Sequence, residues 1–185
     1  PGAGGHADTM NLIKALVAGN PRNVLAGVIC DPAAAARAHA AGEGAQVELS
    51  LGAGSGTPGD APLAARFRVA ALGDGRFTGT GPFYRGARFE LGPMALLELG
   101  GVRVAVASRK QQAADQAMFR HLRAEPADHA VLVLKSSVHF RADFGSMADR
   151  ILVVEAPGPN IADPAKLPFG NLRPGMRTSP RRRCR

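Results

Sequence analysis

The 185-residue chain contains no apolar run near the ~20 residues that a membrane-spanning helix requires. Hydrophobic residues make up 45% and charged residues 21%, the proportions of a globular protein, so a soluble fold is expected and a membrane partner is not. No basic stretch followed by an apolar core marks a secretory leader near its start. Cysteine is scarce: Cys30 and Cys184 stand far apart, which excludes a disulfide framework and fits a reducing, cytoplasmic location. The five histidines, at 6, 39, 121, 129 and 139, form no H-E-x-x-H and no Cys/His pair at zinc spacing. His6-Ala7-Asp8 could ligate a metal only with outside help, and His121 with Glu125 reads as a surface pair at helical spacing. There is no G-x-S-x-G elbow and no Cys/His arrangement for a thiol nucleophile. The chain by itself is therefore expected to be catalytically incomplete, with no metal site of its own.

Acidic residues are missing from the C-terminus. Arginines 173, 177, 181, 182, 183 and 185 supply six of the net +8 charges with no acid among them, so residues 1–172 carry only +2. RTSPRRRCR also lacks an aromatic on which a base could stack. Residues 173–185 are thus expected to be a basic, disordered tail, and nucleic acid is not the expected partner. The chain opens at Pro1 inside a glycine loop with no preceding methionine, and is expected to be the C-terminal portion of a longer polypeptide.

Periodicity assigns the body, residues 1–172, to one α/β domain. Asp8 or Thr9 can cap a helix whose Met10, Ile13, Leu16 and Val17 share a face, ending at Gly19-Asn20-Pro21. VLAGVIC (24–30) has strand length, Asp31-Pro32 starts a second helix that Gly42 to Gly44 end, and AQVELSL (45–51) is a strand. That order suggests a parallel βαβ crossover. GAGSGTPGDAP (52–62) reads as a mobile loop. Strands are expected at 63–72, 76–78, 94–100 and 102–108, with Gly100-Gly101 as a two-residue hairpin turn. Residues 115–122 read as a short helix, 130–135 as a buried strand, 140–150 as mostly helix and 151–158 as a final strand, after which the proline-rich end wraps the surface. The fold expected is α/β, a mixed sheet with flanking helices and an antiparallel hairpin insertion.

Two stretches carry candidate chemistry. PGAGGHADTM fits G-x-G-x-x-[GA] through Gly2, Gly4 and Ala7, and Asp31 lies about where a ribose-binding acid would sit. The strand that should precede such a loop is not in the sequence, so a dinucleotide or anion remains an alternative, and Gly2, Gly4, Gly5 and Asp8 are candidate binding residues. KSSVHFRADF (135–144) is the densest polar cluster, in a strand-to-helix loop where α/β sheets bind ligands. Its Lys135, Ser136, Ser137, His139 and Arg141 suit an anionic or carbonyl-bearing group: the cations bind charge and the imidazole can move a proton. Helix capping by a serine is the bland reading of the same residues.

PGAGGHADT, residues 27–52, GDGRFTGTGPFYRG (73–86), residues 91–122 and VLKSSVHFRADF (133–144) together resemble the C-terminal domain of the microcystinase C (MlrC) family of zinc metallopeptidases, over residues 1 to about 175. K-S-S-x-H-F-R and GPFYRG are the most specific parts. The resemblance implies a hydrolase of peptide bonds, in the namesake case those of a linearised cyclic peptide toxin, microcystin, with zinc activating water. It also implies that the zinc ligands lie in an N-terminal domain, so none is carried over here. The residues carried over are Gly2, Gly4, Gly5 and Asp8, with Lys135, Ser136 and Arg141 as substrate-binding groups and His139 as the catalytic group, all facing a cleft between domains. Ala3 and Ala7 stand where the family loop has glycines.

Overall fold

The computed structural model describes residues 6–158 and 163–178. The elements run in the order α1 (Asn11–Ala18), β1 (Val24–Cys30), α2 (Pro32–Ala41), β2 (Gln46–Leu51), β3 (Leu63–Gly73), β4 (Arg76–Thr78), β5 (Arg88–Glu90), β6 (Met94–Leu99), β7 (Val102–Ala107), α3 (Ala117–Arg120), β8 (Val131–Leu134) and α4 (Arg141–Phe144). Six strands form one mixed sheet in the order β2-β3-β6-β7-β1-β8, and β4 with β5 form a separate two-stranded ribbon. The α/β class and the antiparallel insertion are as the sequence suggests.

The parallel pairs differ from expectation. β1 pairs in parallel with β7 on one side and β8 on the other, whereas β2 lies at the far edge and runs antiparallel to β3. The first helix-linked pair of strands is therefore not a βαβ unit: the chain crosses the sheet through α2, returns as an antiparallel meander through β3 and β6, and reaches β1 again only at β7. The β6–β7 hairpin turns at Gly100-Gly101 as read, with Leu99 opposite Val102 and Gly100 at φ 57°.

Apolar residues on the central strands alternate between two cores. On one face Val24, Ala26 and Ile29 of β1 meet Met10 and Ile13 beside α1 and the small Ala34, Ala35 and Ala38 of α2, which let that helix approach closely. On the other face Leu25 and Val28 pack with Met118, Phe119, Leu122 and Phe144. Each large side chain so buried contributes about 1.5–3 kcal/mol. Asp31 caps α2 as expected, accepting the Ala34 N–H at 2.9 Å. At α1 neither Asp8 nor Thr9 caps; Met10 is the N-cap residue, and its N–H donates to the Asp60 carboxylate at 3.0 Å. The same contact overturns the mobile reading of 52–62, for that loop is also tied by Asn11 to Gly59 O at 2.9 Å and by Lys14 to Ala61 O at 2.8 Å.

Other corrections follow from where partners lie. β8 is the sheet's edge, so only Val133 of it is buried and Val131 is 41% exposed. Residues 151–158 join no ladder, and Leu152, Val153 and Val154 are exposed. Within 140–150, helix is limited to α4 and one 3-10 turn, Gly145–Met147. Residues 173–178 are described and mostly exposed, while the rest of the basic tail lies outside the described residues.

His121 does not pair with Glu125, whose carboxylate takes Arg120 at 2.7 Å. Its Nε2 accepts the Gly75 N–H at 3.0 Å, so that nitrogen carries a lone pair and the ring is neutral. The 3.3 Å approach of Asp74 to the same atom is thus no ion pair. Burial holds the His121 pKa below the ordinary imidazole value, and Asp74 opposes this only in part. The unfolded chain then takes up the proton first as pH falls, so the contribution of His121 to stability is complete above about pH 6.5 and is lost as pH drops through the folded value. Urea unfolding from about pH 8 to about pH 5 should show a steeper acid loss for the wild type than for His121→Gln, whose amide can still accept from Gly75; equal slopes would refute a neutral, buried ring.

Candidate functional site

Because β1, β7 and β8 are parallel, their carboxyl ends open on one edge, where the loops after Cys30, Ala107 and Leu134 meet the segment of residues 6–10 and the loop of 52–60. Hydrogen bonds join these pieces. The Cys30 N–H donates to Ala7 O at 3.0 Å and the Ala53 N–H to Asp8 O at 2.7 Å. The Asp8 carboxylate, 5% exposed, accepts from the Ser55 N–H at 2.7 Å and the Ser55 hydroxyl at 3.0 Å. Lys135, the first residue after β8, donates from Nζ to the Thr9 carbonyl and to Thr9 Oγ1, the latter at 2.9 Å. Burial pushes the Lys135 pKa down, against the upward pull of Asp60 and Asp8. The Cys30 thiol pKa is pushed up by burial, then by Asp8 and Asp31, with Lys110 opposing.

A second group gathers around His139. Its exposed ring stacks on Phe83 with centroids 4.1 Å apart and planes 13° apart. Phe83 in turn meets Tyr84 edge-on at 4.6 Å. His139 Nδ1 lies 3.1 Å from Gln112 Oε1, and the Tyr84 hydroxyl accepts from the amides of Gln111 at 2.6 Å and Gln112 at 2.9 Å. Thus the GPFYRG turn and the K-S-S-x-H-F-R loop, more than fifty residues apart in the chain, form one surface. Arg141 is exposed, its guanidinium 5.3 Å over the Phe140 ring. The Ser136 hydroxyl accepts the Phe140 N–H at 3.3 Å, but Phe140 is itself the N-cap residue of α4 and no side chain caps that helix, so the serine-capping reading does not hold.

Two acids place that turn. Asp115 is fully buried and accepts from the N–H groups of Gly81 and Ala117, each at 2.9 Å, and from the Thr80 N–H at 3.3 Å. Asp143 accepts the Gln116 N–H at 2.7 Å, and Gly81 leaves the space it needs, since a Cβ there would lie 2.5 Å from its carboxyl carbon.

The structure thus sets Lys135 beside Asp8, and His139 beside Phe83, at one edge, while Gly2, Gly4 and Gly5 lie outside the described residues. Phe83, Tyr84, Gln112 and Asp115 were not singled out from sequence as site residues; the GPFYRG turn and the run of polar residues at 108–116 were the signals that held them. Asp31 accepts on both oxygens, from the Ala34 N–H and, at 2.9 Å, from the Gly52 N–H, which gives it a structural task at this edge. Among the described residues no three His, Cys, Asp or Glu side chains are grouped to hold a metal. Zinc sites take three or four such ligands, so the described donor set does not fit a zinc ion. No helix of the described residues is long and apolar enough to cross a membrane.

The family described as "MlrC C-terminus" matches residues 1–171. Microcystinase C of a Sphingomonas species is 29% identical over 154 residues, 83% of this chain and 30% of that protein. A crystal structure described as a "Putative metallopeptidase" from Mesorhizobium sp. BNC1 superposes with a TM-score of 0.80 at 28% identity, covering 91% of this chain and 34% of that one. The chain spans about a third of the length of these relatives.

Two outcomes check the scaffold. Lys135→Met should leave global stability within about 1 kcal/mol but speed hydrogen exchange at the Cys30 and Ala53 amides, which report on residues 7 and 8, by about tenfold or more; unchanged exchange would show that Lys135 does not hold the segment. Asp115→Ala, which orphans several buried N–H groups, should cost about 3 kcal/mol in urea unfolding, with Asp115→Asn in between; a loss under about 1 kcal/mol would be incompatible with this role.

Proposed function

The chain belongs to the MlrC C-terminus family, and on that premise we propose that it is the substrate-binding part of a zinc metallopeptidase that hydrolyses peptide bonds. The zinc is held by the N-terminal domain that longer relatives have room for, not by this chain, and the cleft between the two holds the peptide. The observation that carries this reading is the exposed His139, stacked on Phe83 at 4.1 Å and anchored by Gln112 at the carboxyl edge of parallel strands, where α/β folds place ligands. A packed, hydrogen-bonded imidazole left open to solvent is a group held in place for a partner.

The residues divide the work by chemistry. His139 stands at the scissile peptide as the group that receives or orients a proton. Arg141, whose guanidinium makes no hydrogen bond to a described residue, binds a substrate carboxylate or carbonyl. Lys135 uses two of its three N–H groups on Thr9, which leaves one for a substrate carbonyl. Ser136, Gly2, Gly4, Gly5 and Asp8 complete the substrate-binding set of this reading. Microcystin is not carried over as the natural substrate.

The test uses the polypeptide extended N-terminally to the length of its relatives. His139→Ala should lower kcat/KM about 10²- to 10⁴-fold with zinc content retained, and Arg141→Ala should weaken substrate binding about tenfold to a hundredfold. Unchanged turnover in both variants, with zinc bound, overturns the proposal.

A further inference from the structure

The Gln112 side chain is 7% exposed and lies between Tyr84 and His139. Its two ends do different things: Nε2 donates to the Tyr84 hydroxyl at 2.9 Å, and Oε1 faces His139 Nδ1 at 3.1 Å. An amide oxygen can only accept, so His139 Nδ1 must carry the hydrogen of this contact. The Tyr84 hydroxyl also receives the Gln111 amide at 2.6 Å. With Gln112 Nε2 donating to that hydroxyl, the amide oxygen is the end that faces the imidazole. Stacking on Phe83 with planes 13° apart sets the plane of the ring, and the Gln112 contact sets its edge. His139 Nε2 has no partner among the described residues.

We propose that Gln112 is a positioning residue that holds His139 as the Nδ1–H tautomer, so that Nε2 presents a lone pair to the cleft as an acceptor. The ring donates to Gln112, and Gln112 and Gln111 both donate to Tyr84, which anchors the amide. An Nε2–H ring would offer the substrate a donor, fit for a carbonyl; the lone pair instead calls for an N–H or another proton-bearing group at that point. The meaning of this acceptor for catalysis rests on the peptidase reading above, while the tautomer itself does not.

The experiment reads the tautomer directly. The 185-residue chain, labelled with ¹⁵N-histidine, is examined by NMR at about pH 8.5, well above the ordinary imidazole pKa of about 6.5, and the His139 ring is assigned by its loss in His139→Ala. The expected result is a protonated Nδ1 and a bare Nε2 in the wild type. Gln112→Leu should move the ring towards the mixed tautomers of a solvent-exposed imidazole. Gln112→Glu should keep Nδ1–H, because a carboxylate still accepts from it and Tyr84 can turn to donate. An Nε2–H ring in the wild type, the pattern of a reversed Gln112 amide, overturns the proposal, as does an unchanged tautomer in Gln112→Leu. In the extended, zinc-loaded protein Gln112→Leu should lower kcat/KM about tenfold or more and Gln112→Glu should restore most of it; loss that Glu does not restore counts against a positioning role. The two readings fail separately: turnover that survives His139→Ala removes the peptidase reading and leaves the tautomer standing, whereas Nε2–H removes this inference whatever the activity.

Discussion

The parallel pairing of β1 on both flanks is the constraint from which the rest follows. Parallel neighbours cannot be joined by hairpins, so the chain must leave the sheet after β1 and after β7 and return from the opposite end. The excursions carry everything polar to one edge. Register makes the alignment close: Cys30 lies opposite Ala107, Gly27 lies opposite Leu134, and the Lys135 N–H donates to Gly27 O at 2.8 Å. Gly27 is required where the strand passes its neighbours, for a Cβ there would stand 2.9 Å from the Ala105 Cβ and 3.2 Å from the Phe119 ring. A bulky residue would push β1 away from β7 or lift Phe119 from the second core, and the edge would lose its alignment.

Loops at such an edge have backbone groups that no ladder satisfies, and here buried or half-buried carboxylates satisfy them. Asp8 holds Ser55, Asp31 holds Gly52, Asp60 holds Met10, Asp115 holds Gly81 and Asp143 holds Gln116. Leaving one such buried N–H unpaired costs about 1–3 kcal/mol, so each acid is worth more to the fold as an acceptor than as a free anion. The cationic and imidazole groups, Arg141 and His139, are the ones left facing outward.

The sequence made the elements legible wherever local chemistry decided them. The Asp31-Pro32 cap, the Gly100-Gly101 turn and the apolar run of β1 each specify their structure within a few residues, and the family's motifs marked His139 and Arg141. What it did not reveal was decided at long range. The position of β2 depends on β3 and β6, which periodicity in β2 cannot report. The apolar ILVV at 151–154 has strand composition but no neighbour among the described residues to pair with. Asp60 capping α1 across fifty residues of chain overrode the nearer Asp8, because Asp8 was already taken by Ser55. Phe83 and Gln112 look unremarkable as letters; only the stack and the amide contact give them roles.

The exposure of His139 limits what this surface can do alone. Phe83, itself 43% exposed, shields one face of the imidazole, and the other is open to water. In bulk water a unit charge pair 4 Å apart is worth about 1 kcal/mol, several-fold less than in a site from which water is excluded. An acceptor at Nε2 and a guanidinium at Arg141 gain strength only when a second surface closes over them. Among the described residues the fold supplies placement through Gln112, Tyr84 and Asp115 and leaves the ring exposed. The proposal that the chain is one wall of a composite cleft therefore draws on a physical argument as well as on family membership: exposed groups of this kind would do little in bulk water until a second wall meets them.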